Sequence, residues 1–196
     1  MTWVVTGLGN PGPEYENTRH NAGRMAVMYF AKRADAPVWK EDKRSQSLTT
    51  GATVKTALLA LQLPNTFMNK SGAAVSKLVK SVKAAEKLIV VYDDLDLPIG
   101  TIKLSFDRGS GGHKGIESIT TALKTKKFTR IRIGISPHTP GGKIKKPDSG
   151  SVVDDFILKK FKESEMDELK KVFKRVAEAI EAIVSDGPMI AMNHFN

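Results

Sequence analysis

The chain has 196 residues, 40 % of them hydrophobic, enough to bury one substantial core and to form a single domain over residues 1–196. Thirty-one Lys and Arg against 21 Asp and Glu leave a net charge of +10, which makes a polyanion, nucleic acid first among them, the leading class of partner. Cysteine is absent, so a disulfide framework, a thiolate nucleophile and thiolate-held metals are excluded. No stretch approaches the roughly 20 apolar residues that span a bilayer, and a soluble cytoplasmic protein without membrane association is expected.

In chain order, Thr2 to Thr6 with its Trp3-Val4-Val5 run reads as a buried strand that ends in glycine. A polar loop from Gly7 to Asn21 follows, and residues Asn21 to about Ala34 have the spacing of a helix with one apolar face. Val54 to Leu61, closed by Pro64, is a second strand, and Ser71 to Val82 a second helix with Val75, Leu78, Val79 and Val82 on one stripe. Leu88 to Tyr92 is a continuous apolar run of the kind buried on both sheet faces, and it ends in Asp93-Asp94-Leu95-Asp96. Ile102 to Phe106 and Thr129 to Ile135 are further strands around a helix near Gly115 to Leu123. Pro137 to Ser151, rich in Gly, Pro and Lys, reads as a mobile loop. The last helix carries Leu169, Val172, Phe173, Val176 and Ile180 at helical spacing, with Ser164 and Asp167 as a capping pair and Gly187 as its stop. Its other face is basic through Lys162, Lys170, Lys171, Lys174 and Arg175, a solvated face or a contact for RNA phosphates. This alternation argues for an α/β/α sandwich around a twisted mixed, mostly parallel sheet.

Chemistry concentrates in the loop from Gly7 to Asn21, where Asn10, Arg19, His20 and Asn21 fall within fifteen residues. Gly7, Gly9 and Gly12 satisfy G-x-G-x-x-G, but Pro11 and Pro13 remove two backbone donors and no strand supplies an acid about 20 residues on, which argues against a dinucleotide site. No two of His20, His113, His138 and His194 have zinc-helix spacing, and no metal is expected. An imidazole tuned by a carboxylate takes a proton from water near neutral pH. The acids after the central strand stand where α/β proteins place their sites, and Asp93, Asp94 and Asp96 compete as the partner of His20. Asparagines 10, 21 and 69 add neutral donors and acceptors. The loop Gly109 to Gly115, with Lys114 at a helix start, suits an anion.

Four ordered segments carry a resemblance: Gly7-Leu-Gly-Asn-Pro-Gly with Tyr15 and Thr18-Arg-His-Asn-Ala-Gly23, Pro64 to Gly72, Asp93 to Gly100, and Gly111-Gly-His-Lys-Gly115 followed by Arg130 to Gly134. Over essentially its whole length the chain resembles the bacterial peptidyl-tRNA hydrolases. The resemblance implies a monomeric, cofactor-free α/β enzyme that cleaves the ester between an N-blocked peptide and the 3′ end of tRNA, recycling tRNA stranded on prematurely released peptides. It implies His20 as the base and Asp93 as its partner, with Asn10 and Asn69 orienting the peptide and the attacked carbonyl, and Tyr15, Phe67 and Met68 lining the site. Asn21, His113 and Lys114 complete the expected substrate contacts. Lys114 departs from the family's usual asparagine, exchanging a group that donates and accepts for one that only donates. Arg132 matches the family's phosphate-binding arginine, and Lys103 or Arg108 substitutes for the lysine replaced by Ser105, the three holding the tRNA acceptor stem. A non-catalytic RNA-binding protein on the same fold is the principal rival.

Overall fold

The computed structural model describes residues 2–139, 141, 143–147 and 150–196. Their strands are β1 (Trp3–Gly7), β2 (Lys40–Asp42), β3 (Ser47–Val54), β4 (Ala57–Pro64), β5 (Leu88–Pro98), β6 (Ile102–Phe106) and β7 (Thr129–Ser136). The helices are α1 (Ala22–Arg33), α2 (Ser71–Val75), α3 (Val82–Ala85), α4 (Lys114–Leu123), α5 (Ser151–Ile157), α6 (Glu163–Asp186) and α7 (Pro188–Phe195). The strands form one seven-stranded sheet in the order β2-β3-β4-β1-β5-β7-β6. Its centre, β4-β1-β5-β7, is parallel, and the outer strands pair antiparallel.

The two apolar central strands divide their side chains between two cores, as the two-residue strand period requires. Trp3 and Val5 of β1 and Ile89 and Val91 of β5 face one core with Phe30 of α1 and Val176 and Ile180 of α6. Val4, Leu88, Val90 and Tyr92 face the other with Val75, Ile116 and Ile119 of α2 and α4. Helices on both faces make the sandwich that the sequence pattern implies.

Helix α1 approaches so closely that a Cβ on Gly23 would lie 2.1 Å from the Val91 carbonyl oxygen of β5. The glycines of the first loop serve similar close approach: a Cβ on Gly9 would sit 2.9 Å from Cγ of Asn21 and from Cβ of Arg24. Close approach to the start of α1 accounts for Gly7 and Gly9, and Gly12 instead sits in a turn at φ 111° beside the Glu14 side chain.

Several local readings change. The strand expected from Val54 to Leu61 is a hairpin, turned by Lys55 at φ 52°, whose first arm runs from Ser47 to Val54 and whose second reaches Pro64. The expected helix from Ser71 to Val82 is broken: α2 ends at Val75, and Ser81 caps α3 by accepting from the Ala84 amide, leaving Val82 half exposed. At the start of α6 the Lys162 amide donates to the Glu165 carboxylate at 2.7 Å, so the cap lies two residues before the expected Ser164 and Asp167 pair. The segment read as a mobile loop falls partly outside the described residues, at 140, 142, 148 and 149. Its described part carries backbone hydrogen bonds from Thr139 to Lys143 and from Lys145 to Pro137, and Ser151 already belongs to α5.

Candidate active site

His20 sits in a 3-10 turn, Arg19–Asn21, immediately before α1 and against the middle of β5, because the strand expected to end at Tyr92 pairs with β7 as far as Pro98 and so contains Asp93, Asp94 and Asp96. Both neighbours of the histidine are clamped. On one side the buried Arg19 guanidinium donates to both Glu165 oxygens at 2.7 and 2.8 Å and to the Lys160 carbonyl at 2.8 Å, and lies 4.8 Å from the Phe156 ring and 5.0 Å from that of Phe161. On the other, Asn21 accepts from the Asn10 amide at 2.8 Å and donates to the Asn10 carbonyl at 3.0 Å. Asn10 in turn accepts from the Met68 amide at 2.9 Å through Oδ1, which leaves its Nδ2 group as the donor with no partner among the described residues. Arg24 joins the loop to the end of β4, donating to Pro64 and Asn65.

Asp93 follows Ile89 and Val91 in the alternation along β5, so its carboxylate points toward the α1 side, where His20 arrives. Nδ1 of His20 lies 3.0 Å from both Asp93 oxygens, and both residues are buried. Asp94 belongs to the opposite face, where it accepts from Nε of Arg132 at 2.6 Å, and Asp96 pairs with Lys146 at the rim. The topology therefore selects Asp93 among the three acids.

His113 completes the cluster. As the N-cap of α4 its Nδ1 accepts from the Gly115 and Ile116 amides at 3.2 and 3.3 Å, while Nε2 lies 3.1 Å from Oδ1 of Asp93. A nitrogen that accepts two N–H groups carries no proton, so the ring proton resides on Nε2 and is donated to Asp93. His20, Asp93 and His113 bring three ligand-type atoms within 4.8 Å of one another, yet the set does not fit a metal: the His113 nitrogen that would have to ligate is the protonated one.

Burial alone would lower the basicity of His20, but the charge of Asp93 and its hydrogen bond outweigh burial and raise the histidine above its ordinary value. For Asp93, burial acts to raise the carboxyl, and the opposing positive form of His20, with the donors from both rings, holds it well below the usual carboxylate range. The pair is thus an ionised carboxylate orienting an imidazole whose Nε2 has no partner among the described residues.

His20, Asp93, His113 and Lys114 line a cavity of about 300 Å³ with Tyr92, Asp154 and Ile157. Sequence reasoning singled out neither Asp154 nor Ile157, which reach the site only because α5 folds over it. Asn10 and Asn21 border a separate cavity of about 620 Å³ that includes Trp39 and Phe173. Asn21 reaches the site only through Asn10, its amide being engaged by that residue's backbone. Met68, expected in the site lining, is buried in the α2–α4 core. Asn69 is exposed, as is Phe67, whose ring meets that of Tyr15 edge-on at 6.3 Å. Lys114 pairs with Asp154 at 3.1 Å across the mouth of the first cavity, an exposed contact between α4 and α5. Lys103, Arg108 and Arg132 line a third cavity of about 340 Å³ with Arg130. There Arg130 is buried and its guanidinium holds the Arg108 and Gly109 carbonyls at 2.6 and 2.7 Å, fixing the turn that carries Arg108.

A sheet with parallel centre, holding a buried carboxylate–imidazole pair beside a cavity, makes an α/β protein whose site has the groups for general acid–base chemistry. The model of the family described as peptidyl-tRNA hydrolase matches residues 4–196. The peptidyl-tRNA hydrolase of Herpetosiphon aurantiacus is 41% identical over 99% of this chain and 90% of its own length. That of Carboxydothermus hydrogenoformans is 39% identical over 99% and 98%. The crystal structure of peptidyl-tRNA hydrolase from Acinetobacter baumannii superposes with a TM-score of 0.87 at 30% identity, covering 100% of this chain and 94% of that one. The chain belongs to the peptidyl-tRNA hydrolase family. No helix of the described residues is long and apolar enough to cross a membrane.

Proposed function

We propose that this chain, acting as one domain and as a cytoplasmic monomer without a cofactor, hydrolyses the ester joining an N-blocked peptide to the 3′ end of tRNA. The observation that carries the reading is the His20–Asp93 pair, held at 3.0 Å beside an open cavity in a chain of this family. Asp93 accepts the Nδ1 proton of His20 and fixes the ring so that Nε2 meets water. Nε2 takes a proton as the water oxygen attacks the ester carbonyl, assistance of a kind that supplies on the order of 10²–10⁴ in rate. The oxyanion is met by neutral amides, with the free Nδ2 of Asn10 and the exposed Asn69 as donors. Collapse of the tetrahedral intermediate expels the ribose hydroxyl, which leaves as an alcohol by taking the proton from the His20 imidazolium. Tyr15 and Phe67 offer an aromatic edge to the peptide.

The tRNA acceptor stem is held on the adjoining face by Lys103, Arg108 and Arg132, through phosphates rather than base sequence. Arg132 supplies the face with its terminal nitrogens, because Nε is committed to Asp94.

Release of free tRNA from an N-acylated aminoacyl-tRNA and from its unacylated counterpart, by wild type and His20→Ala, tests the reading. Cleavage of the acylated ester alone, lost in the variant, is expected. Tight RNA binding without cleavage would replace it with the RNA-binding role.

A further inference from the structure

We infer that His113 is a positioning residue for the reaction: a tautomer-locked second donor that holds Asp93 toward His20, instead of a group that contacts substrate. The inference deepens the general-base reading and rests on it.

At the first turn of α4 the opening amides lack intrahelical acceptors. His113 stands at the N-cap with extended backbone, φ −72° and ψ 110°, and its Nδ1 satisfies two of those amides, at 3.2 and 3.3 Å. An imidazole used this way has its single proton on Nε2 and its ring plane set by the helix. That plane aims Nε2–H at Oδ1 of Asp93, 3.1 Å away. The ring is further boxed by Tyr92, 4.8 Å between centroids, and by His20, 5.2 Å. Both nitrogens of His113 are thus engaged by protein, and none is left for a substrate.

The Asp93 carboxylate, 3 % exposed, receives two N–H groups, one from each histidine. Removal of the His113 donor leaves the full anionic charge opposed to His20 alone and releases one of the two contacts that fix the carboxylate's rotation. The first effect strengthens the hold on the His20 proton, and the second loosens the ring geometry. The charged and titratable groups that face His20 are Asp93 from β5, His113 and Lys114 from the start of α4, and Asp154 from α5.

Two variants separate this role from that of a helix cap. His113→Asn keeps an acceptor near the position of Nδ1, and asparagine is a strong N-cap, but its short amide does not reach Asp93. His113→Gln places an amide N–H near the position of Nε2 and forfeits the cap. Turnover of N-acylated aminoacyl-tRNA is measured against pH for both, beside wild type and His20→Ala, with melting temperatures and an NMR titration of the His20 Cε1 proton. For His113→Asn the expected result is wild-type melting, kcat lower by about tenfold, a fraction of the general-base contribution, an unchanged KM, and a His20 midpoint moved to higher pH. For His113→Gln the expected result is a lower melting temperature with kcat and the His20 midpoint nearer to wild type. Unchanged kcat and midpoint in His113→Asn would reduce His113 to a helix cap and overturn the inference, as would a raised KM with kcat intact, the mark of a substrate contact. The NMR midpoint reads the inference without turnover, whereas failure of wild type to cleave would remove the general-base reading itself.

Discussion

Nδ1 of His20 lies 3.0 Å from both carboxylate oxygens of Asp93, a residue 73 positions further along the chain. Because the raised basicity of His20 comes from this contact overcoming burial, the unprotonated ring that the proposed general-base role requires predominates only above the ordinary imidazole value of 6.5. The kcat profile is expected to rise with pH through an acid limb centred above 6.5. In Asp93→Asn the limb moves down as the charge is lost, and kcat at the plateau falls because the ring orientation is no longer fixed.

The same contact links pH to stability. A histidine whose folded value is raised contributes stability that is fully present below 6.5 and is lost as pH rises through the folded value. Asp93, whose folded value is depressed, contributes stability that is present above 3.8 and is lost as pH falls through its folded value. The difference in melting temperature between wild type and His20→Ala is therefore expected to shrink as pH is raised through the acid limb of kcat. A difference that grows with pH would contradict the sign.

The buried Arg19 pairs with the half-buried Glu165, side-chain exposures being 6% and 15%. Removing one partner of a fully buried pair costs about 3–5 kcal/mol, which is the upper bound for this half-buried one. Glu165→Ala also removes the acceptor of the Lys162 amide at the start of α6. Chemical denaturation of Arg19→Ala and Glu165→Ala is expected to show losses up to that size, with lower kcat at temperatures where both remain folded, because the turn carrying His20 is released.

Gly23→Ala would push a methyl group to 2.1 Å from the Val91 carbonyl oxygen, a backbone atom that cannot swing aside. Overpacking against side chains costs about 1–3 kcal/mol, and a backbone clash lies at or beyond the upper end of that range. The variant is expected to melt well below wild type.

Lys114 and Asp154 act on His20 with opposite signs, the ammonium lowering its basicity and the carboxylate raising it. Lys114→Asn is expected to move the acid limb of kcat upward, and Asp154→Asn to move it downward. The pair is exposed, so melting temperatures should hardly change. Shifts of the same sign in both variants would show that at least one of the two does not act through charge on the histidine.

For the basic face, Lys103→Ala and Arg108→Ala are expected to weaken tRNA binding with little dependence on which tRNA is used. Each should reduce the slope of log affinity against log salt by about 1. A wild-type affinity independent of salt would remove phosphates from the account.

Much of this arrangement is legible in the residues alone. The apolar runs of β1 and β5, the period of α6 and the polar density before α1 are local patterns, and each corresponds to a local physical requirement: two-faced burial, one apolar stripe, and a loop at a strand end. The readings that shifted were those where local pattern competes with long-range contact. Val82 fits the stripe of its neighbours, yet Ser81 caps a new helix and leaves it half exposed. Met68 lies among residues of the expected site and packs into the core. Asn21 and His113 have the chemistry of substrate contacts, but their polar atoms are engaged by a loop backbone and by a helix start together with Asp93.

The amino-acid sequence by itself determined the fold class, the basic character of the molecule and the short list of groups able to do chemistry, because burial period, net charge and side-chain type are properties of local sequence. Only the tertiary structure decided which acid meets His20. Along one strand Asp93 and Asp94 point to opposite faces, and Asp93 meets two histidines while Asp94 meets Arg132. The strand period is local, but which face receives His20 depends on where α1 packs, and that placement is set by contacts across the whole sheet.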